Sequence, residues 1–357
     1  MGAGELERAA AVLRAWPVGP ASLQPLSGGL INDSFAVTPD EGGAGFVLQR
    51  VHPVFAPQVH DNIAAVTARL QQRGVATPVL IPTRDGARWH VDDDGRVWRL
   101  MTRMPGVSFA RIQSSAQAVA AAALLARFHV ALAELPHRFV GMRTGVHDTG
   151  AHLQALRDAL AEHRDHRLYD AVAPLAAAIE AGAAALPPLS GLPEPVVHGD
   201  PKFSNVMFAA ATGEGATRAT CLVDLDTVGP MALHLELGDM WRSWCNRAGE
   251  DRREAAFDLD VFEASLHGYA GARAAPSAAE CEALVHGVEW ITLELAARFA
   301  ADALRERYFG WDATAFVARG EHNLVRAAGP WSLHEQVLAS RSRRAAAIAA
   351  APWRPRS

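Results

Sequence analysis

The chain changes character once, at Met104-Pro-Gly106, and that single change limits the folds open to it. Before it, short runs rich in β-branched and aromatic residues alternate with turn signals. Stretches 31–37 and 46–51 read as strands separated by the turn-rich segment 38–45. Stretches 88–91 and 96–101 flank Asp92-Asp-Asp-Gly95, a hairpin with an Asp-Gly turn. One helix, 59–72, interrupts the strands and stops at Gly74. After the change the pattern is helical. Segments 115–132, 152–163 and 170–185 are alanine-rich helix formers, and 186–195, with four prolines and a glycine, is a linker. Short strands follow at 196–197, 206–208 and 220–223, then helices at 237–244, 254–269, 277–307, 313–326 and 332–349. The expectation is an α+β, bilobal chain. It has a small antiparallel-sheet N-terminal lobe, 1–104, and a large, mainly helical lobe, 105–357.

Half of the 357 residues are hydrophobic and a fifth are charged, as in a globular protein with a well-buried core. A formal net charge of -5 and scattered arginines argue against a nucleic-acid partner. Three cysteines without metal-type spacing argue against a disulfide framework. The N-terminus turns directly into an amphipathic helix without a signal core, and the apolar stretch 116–126 stops at Arg127, short of a membrane span. A cytoplasmic chain without a membrane partner is expected; oligomeric state is not readable.

Of the 34 lysines and arginines only Lys202 is a lysine, and it lies in His198-Gly-Asp-Pro-Lys-Phe-Ser-Asn205. A carboxylate, an ammonium and a carboxamide on one short loop are the groups that handle a transferring phosphate and its metal ion. Protein kinases carry His-Arg-Asp-x-Lys-x-x-Asn, and His198, Asp200, Lys202 and Asn205 repeat those types at that spacing. Asp200 would accept a hydroxyl proton and Lys202 would offset phosphoryl charge. Asn205 would give a neutral oxygen to Mg²⁺, and His198 would brace the loop. The alternative is a surface turn between two strands, which favours the same residue types. Nineteen residues beyond Asn205, Leu222-Val-Asp224-Leu-Asp226 ends an apolar strand in carboxylates. Asp224 is the primary metal candidate, with Asp226 serving a second metal or the outer shell. Together these loops indicate a protein-kinase-like fold that uses ATP and Mg²⁺, with the lobe 1–104 expected to bind nucleotide and the lobe 105–357 to carry catalysis and acceptor binding.

The nucleotide side is less distinctive. Ser27, Gly28, Gly29 and Asn32 lie in a stretch whose backbone N–H groups suit phosphates, although an ordinary tight turn reads equally well. Strand 46–51 lacks the lysine that would clamp the α- and β-phosphates, so Gln49 or Arg50 must replace it, with Asp61 a possible partner for Arg50. The segment 99–104, with Met101 and Arg103, would pass the adenine. His163 and His166 read as a solvated helix face, the three aspartates 92–94 as a solvated turn, and Trp241, Trp244, Trp290 and Trp331 as core.

These residues resemble the aminoglycoside phosphotransferase superfamily, and within it the N-acetylhexosamine 1-kinase group. The resemblance rests on Ser27-Gly-Gly-Leu-Ile-Asn-Asp-Ser34, Val47-Leu-Gln-Arg50, Asp61-Asn-Ile63 with Val66-Thr67, and the loop ending at Asn205. It continues through Val223-Asp-Leu-Asp-Thr-Val228, Leu237-Gly-Asp239, Arg298-Phe299, Tyr308-Phe309 and His322-Asn-Leu-Val-Arg326. It implies transfer of the ATP γ-phosphate to a small-molecule acceptor, the anomeric hydroxyl of an N-acetylhexosamine, with Asp200, Arg298, Asp302 and Tyr308 touching the sugar. Other alcohols (an aminoglycoside, choline, homoserine) and a catalytically silent nucleotide-binding module are the rival readings.

Overall fold

The protein is described by a computed structural model covering residues 3–26 and 31–355. Helix α1 (Ala3–Leu13) leads into strands β1 (Ala21–Pro25), β2 (Asp33–Pro39) and β3 (Phe46–Arg50). Helix α2 (Val59–Gln72) and strands β4 (Leu80–Ile81), β5 (His90–Val91) and β6 (Val97–Thr102) complete this part. The sheet is antiparallel in the order β1-β2-β3-β6, and β4 and β5 share the far edge of β6. Its register aligns Phe35 with Leu48 and Leu48 with Leu100. Side chains alternate along a strand, so Phe35, Val37, Leu48, Trp98 and Leu100 share one face. There they bury Ala9, Val12 and Leu13 of α1 together with Trp16. Ser34, Gln49, Arg99 and Met101 therefore point the other way, and Met101 packs in one cluster with Ile63, Val66 and Leu70 of α2.

The second part begins with β7 (Val107–Ser108) and α3 (Ser115–Leu132), followed by α4 (Thr149–Glu162), α5 (Tyr169–Ala185), β8 (Val196–Val197), β9 (Val206–Phe208), β10 (Ala219–Leu222) and β11 (Gly229–Pro230). Then come α6 (Leu233–Trp244), α7 (Leu259–Ala270), α8 (Ala278–Arg305), α9 (Arg319–Ala339) and α10 (Arg341–Ala349). Two small ribbons, β10-β9-β7 and β11-β8, hold the two loops singled out from sequence. Residues 198–205 connect β8 to β9, and residues 223–228 connect β10 to β11. The mixed α+β architecture, an antiparallel sheet followed by a helical body, is the expected one.

Helix α8 is the central post, with α4, α5, α6 and α9 packed around it. Its start is fixed by a capping box in which Ser277 and Glu280 exchange hydrogen bonds. It meets α6 at a glycine pair. A Cβ on Gly287 would lie 2.1 Å from the carbonyl oxygen of His234, and one on Gly238 would lie 2.6 Å from the backbone of Gly287. Only glycine allows so close a crossing.

Several features differ from the sequence reading. Helix α3 is long and apolar enough to cross a bilayer by length and composition, with mean hydropathy 1.4, yet 61% of it is buried inside the fold. It is a core helix against α7 and β10. Strand β1 carries no apolar alternation, only Leu23 among polar and small neighbours, so its pairing with β2 was not foreseen. Finally, α9 runs through Pro330, and the break falls at Ser340 instead. The missing proline N–H removes one rung, but Leu324, Ala327, Leu333 and Val337 bury both halves of the helix.

Candidate active site

The loop 198–205 is braced from every side. Gly199 adopts φ +80° with its α-carbon so near Thr227 that a Cβ would lie 2.3 Å from that carbonyl oxygen, which requires glycine there. The buried carboxylate of Glu236, on α6, accepts the backbone N–H groups of His198 (3.1 Å) and Gly199 (2.9 Å). The same carboxylate pairs with His129, whose other ring nitrogen meets the Tyr269 hydroxyl at 2.7 Å. His198 bridges the two loops: one ring nitrogen accepts the Asp200 N–H, so the other donates to the Val223 carbonyl at 3.0 Å. Trp244 donates to the Pro201 carbonyl at 2.7 Å. The sequence reading identified His198 as the brace and missed Glu236, whose partners lie 37, 38 and 107 positions away.

Within this frame Asp200, Lys202, Asn205 and Asp224 converge. Lys202 Nζ donates to Asp200 Oδ2 at 2.6 Å and stands 3.7 Å from Asp224 Oδ2. Burial works against its charge, but Asp200 and Asp224 outweigh it and hold the ammonium above its ordinary pKa. Asn205 Nδ2 donates to the Asp200 carbonyl at 2.9 Å, which leaves its amide oxygen to face elsewhere. Asp224 sits in the left-handed region, φ 66° and ψ 65°, where a non-glycine residue is uncommon. Burial, and then the charge of Asp226, raise its pKa, with Lys202 opposing. Asp200 and Lys202 each keep 29% of the side chain exposed and Asp224 keeps 38%, so the cluster is open to a ligand.

Asp226 has a different environment. Its side chain is 1% exposed and engages both terminal nitrogens of Arg99 on β6, one of them at 3.0 Å. Asn32 Nδ2 donates to Asp226 Oδ2 at 2.6 Å. Burial alone would raise this carboxyl, but the charge and hydrogen bonds of Arg99 hold it below the usual carboxylate range. Its oxygens are thus committed to the first lobe.

The nucleotide candidates separate by sheet face. The phosphate-loop candidates Ser27, Gly28 and Gly29 lie outside the described residues. Asn32 is occupied by Asp226 and by the His52 N–H. Gln49 faces the cleft side, bonded to Arg99 Nε (2.8 Å) and Ser34 Oγ (2.9 Å). Arg50 projects from the opposite face, where it meets Asp33 (2.8 Å), Glu5 (3.1 Å) and the Trp98 ring. Asp61 is not its partner; it pairs with Arg88. Met101 is buried beside α2, and Arg103 is exposed, with its backbone N–H bonded to Gly45.

Among the residues expected to touch the acceptor, Asp302 is buried and accepts the N–H groups of Arg307, Tyr308 and Phe309 and the Asn323 amide. It closes the C-terminus of α8. Tyr308 is 59% exposed and takes a bond from Arg143. Arg298 lies over the Phe309 ring, 3.9 Å from Glu294. Nearer the loop, Asp239 pairs with Arg242 (2.8 Å), and its charge is felt by both Lys202 and His147. Glu294 accepts from His147 (3.1 Å) and Thr149 (3.0 Å). Burial opposes protonation of His147, but Glu294 and then Asp239 raise its pKa.

The lobed fold, with an acid–lysine–amide loop facing a strand-end aspartate, defines a kinase-type phosphotransferase with an alcohol as acceptor. The sequence profile of the phosphotransferase enzyme family matches residues 22–275, and the chain belongs to that family. Solved structures of the same fold include an aminoglycoside phosphotransferase from Alicyclobacillus acidocaldarius (TM-score 0.61, 16% identity, covering 94% of this chain and 96% of that one). A microcompartment-associated aminopropanol kinase matches with TM-score 0.61 and 18% identity over 95% and 99% of the two chains. A choline/ethanolamine kinase family protein from Mesorhizobium loti matches with TM-score 0.54 and 19% identity over 96% and 98%. The enzyme is accordingly a small-molecule kinase, and ATP use follows from its fold.

Proposed function

We propose that this kinase phosphorylates a neutral sugar, the anomeric hydroxyl of an N-acetylhexosamine, using Mg²⁺-bound ATP. The carrying observation is the charge balance beside the catalytic loop. Asp239 is matched by Arg242, and Glu294 by His147 with Arg298 nearby. A polycationic acceptor calls for unpaired acids, whereas paired acids and cations offer donors and acceptors to hydroxyl and amide groups without selecting net charge. The hexosamine-kinase resemblance of the C-terminal motifs supplies the finer choice of sugar.

In this reading Asp200 accepts the acceptor proton as the new oxygen–phosphorus bond forms and the bond to ADP breaks. Lys202 offsets charge on the transferring phosphoryl group. Asn205 and Asp224 would hold the metal. The donor set suits it: a carboxylate and an amide oxygen are hard ligands, and phosphate oxygens commonly complete such a site. A Mg²⁺ ion held there would supply positive charge against the phosphate oxygens of the nucleotide.

ADP release should be measured across N-acetylglucosamine, N-acetylgalactosamine, glucose, kanamycin, choline and 1-amino-2-propanol. The expected result is the highest kcat/KM with an N-acetylhexosamine, with loss of its reducing end. Turnover confined to the amino alcohols or to kanamycin would overturn the sugar assignment. Tight Mg–ATP binding without any turnover would favour the silent module.

A further inference from the structure

Kinase-type folds need the sheet of the first lobe held in register with the metal-binding loop of the second. An ion pair between a strand lysine and a helix acid does this in protein kinases. That pair is absent here. The chain's one lysine is in the catalytic loop, the polar side chain on the cleft-facing side of β3 is Gln49, and the one acid of α2, Asp61, pairs outward with Arg88. What ties the sheet to the second lobe here is Arg99 of β6. Its side chain is 1% exposed. Its two terminal nitrogens meet the two oxygens of Asp226, and its Nε meets Gln49 Oε1 at 2.8 Å. Gln49 in turn holds Ser34, and Asn32 completes the ring on Asp226. Side chains from β2, β3 and β6 therefore converge, directly or through one another, on one carboxylate of the second lobe.

We propose that Arg99 is a positioning residue for phosphoryl transfer, its buried fork on Asp226 aligning the nucleotide lobe with Asp224. The link to the chemistry is short. Asp226 lies two residues beyond Asp224, in the tight turn at residues 225–227 that begins from the left-handed conformation of Asp224. A residue persists in that region only when its surroundings over-determine it, and the Arg99 fork fixes the turn that Asp224 starts. Helix α2 packs against this same turn and presents His60, fully buried beside Arg99 and Asp226, with Nε2 unpartnered among the described residues. Burial, and then the charge of Arg99, lower the pKa of His60 to about 4, so α2 adds a neutral wall where a protein kinase would add an acid. In this arrangement Asp226 is the anchor of the metal-binding turn, and Asp224 is the ligand.

The inference rests on the phosphotransferase class and not on the choice of sugar. Its primary readout, calorimetric binding of Mg–ATP to the full-length protein, needs no acceptor. A wrong acceptor would therefore leave the test standing. Three variants are compared, with melting curves recorded for each. R99K keeps the charge and loses the planar fork. D226N keeps the shape. The paired R99M/D226M removes both charges together, so that neither is left buried alone. R99K and R99M/D226M are expected to melt as folded proteins and to bind Mg–ATP about 10- to 100-fold more weakly, the range typical when a group orienting a metal ligand is lost. With any acceptor that is turned over, kcat should fall while acceptor KM stays within about threefold. The Mg²⁺ concentration for half-maximal ATP binding in D226N should shift no more than in R99K, because both act through one turn. Wild-type Mg–ATP affinity and kcat in folded R99K or R99M/D226M would overturn the proposal, leaving the pair a packing feature only. A Mg²⁺ requirement raised tenfold or more in D226N alone would also overturn it, making Asp226 a metal ligand. If R99M/D226M does not fold, R99K decides by the same criteria.

Discussion

Asp200 and Lys202 are bonded to each other, yet their predicted losses differ in kind. Asp200→Asn keeps the shape and removes the proposed proton acceptor, so kcat should fall by roughly 10²- to 10⁴-fold while Mg–ATP affinity stays near wild type. Equal loss of both, by calorimetry and steady-state kinetics, would contradict the base assignment. Lys202→Arg keeps the charge, but a planar fork cannot sit 2.6 Å from Asp200 and 3.7 Å from Asp224 as a single point charge does. A drop in kcat of about tenfold or more is expected; undiminished turnover would make the lone lysine a compositional relic. His60 gives a prediction about pH. Its pKa falls to about 4 in the fold, from burial first and the Arg99 charge second, against 6.5 ordinarily. Between those values the unfolded chain takes up a proton that the folded chain does not, so stability falls as pH drops from about 6.5 towards 4. At pH 5 the loss from this one fully buried ring is about 2 kcal/mol. His60→Phe keeps a ring against Trp89 and removes the titration. Urea midpoints at pH 7.5 and pH 5 should therefore lie closer together in the variant.

At the scale of elements, the crossing of α6 and α8 sets the position of Glu236 and Asp239, so catalysis depends on a contact far from the chemistry. Gly287→Ala places a methyl 2.1 Å from the His234 carbonyl, and backbone cannot rotate away as a side chain can. Overpacking of this kind costs about 1–3 kcal/mol. Gly310→Ala, with nothing within 4 Å of the new methyl, is the control and should melt within about 0.5 kcal/mol of wild type. Equal melting of the two alanine variants would mean that the helices have room to separate. Which elements were legible follows the same local logic. Helices α2 and α3 have the sequence-expected bounds because periodic burial coincides with clear ends, Gly74 after the first and the Ser114 cap before the second. The break near Pro330 was misplaced because a proline advertises a stop, while tertiary burial of Leu333 and Val337 outweighs it. In the site, His198, Asp200, Lys202, Asn205 and Asp224 share two short segments, so spacing alone revealed them. Arg99 and Asp226 are 127 positions apart, and no local pattern marks Arg99 as different from 32 other arginines.

For the whole molecule, the apolar core does not stop at residue 104. Ile63, Val66, Leu70 and Met101 of the first part belong to one cluster with Leu125, Val206, Leu222, Leu225 and Leu237 of the second. Polar ties add to it: Arg99 and Asn32 on Asp226, and Asn62 of α2 holding both the N–H and the carbonyl of Val140. We propose that the two lobes consequently unfold together, although the sequence reads as two units. Nucleotide bound against both lobes then stabilises the whole chain by mass action. At a hundred times its Kd the gain is about 2.7 kcal/mol, and it vanishes for a ligand that binds neither state preferentially. Scanning calorimetry should show one transition that moves several degrees upward with Mg–ATP, and less with ATP plus a chelator, because the phosphates then lose the cation proposed to sit on Asn205 and Asp224. Two resolved transitions, with only one responding to Mg–ATP, would show that the shared core is too weak to couple the lobes. The register between sheet and catalytic loop would then rest on the Arg99–Asp226 pair and its polar neighbours alone.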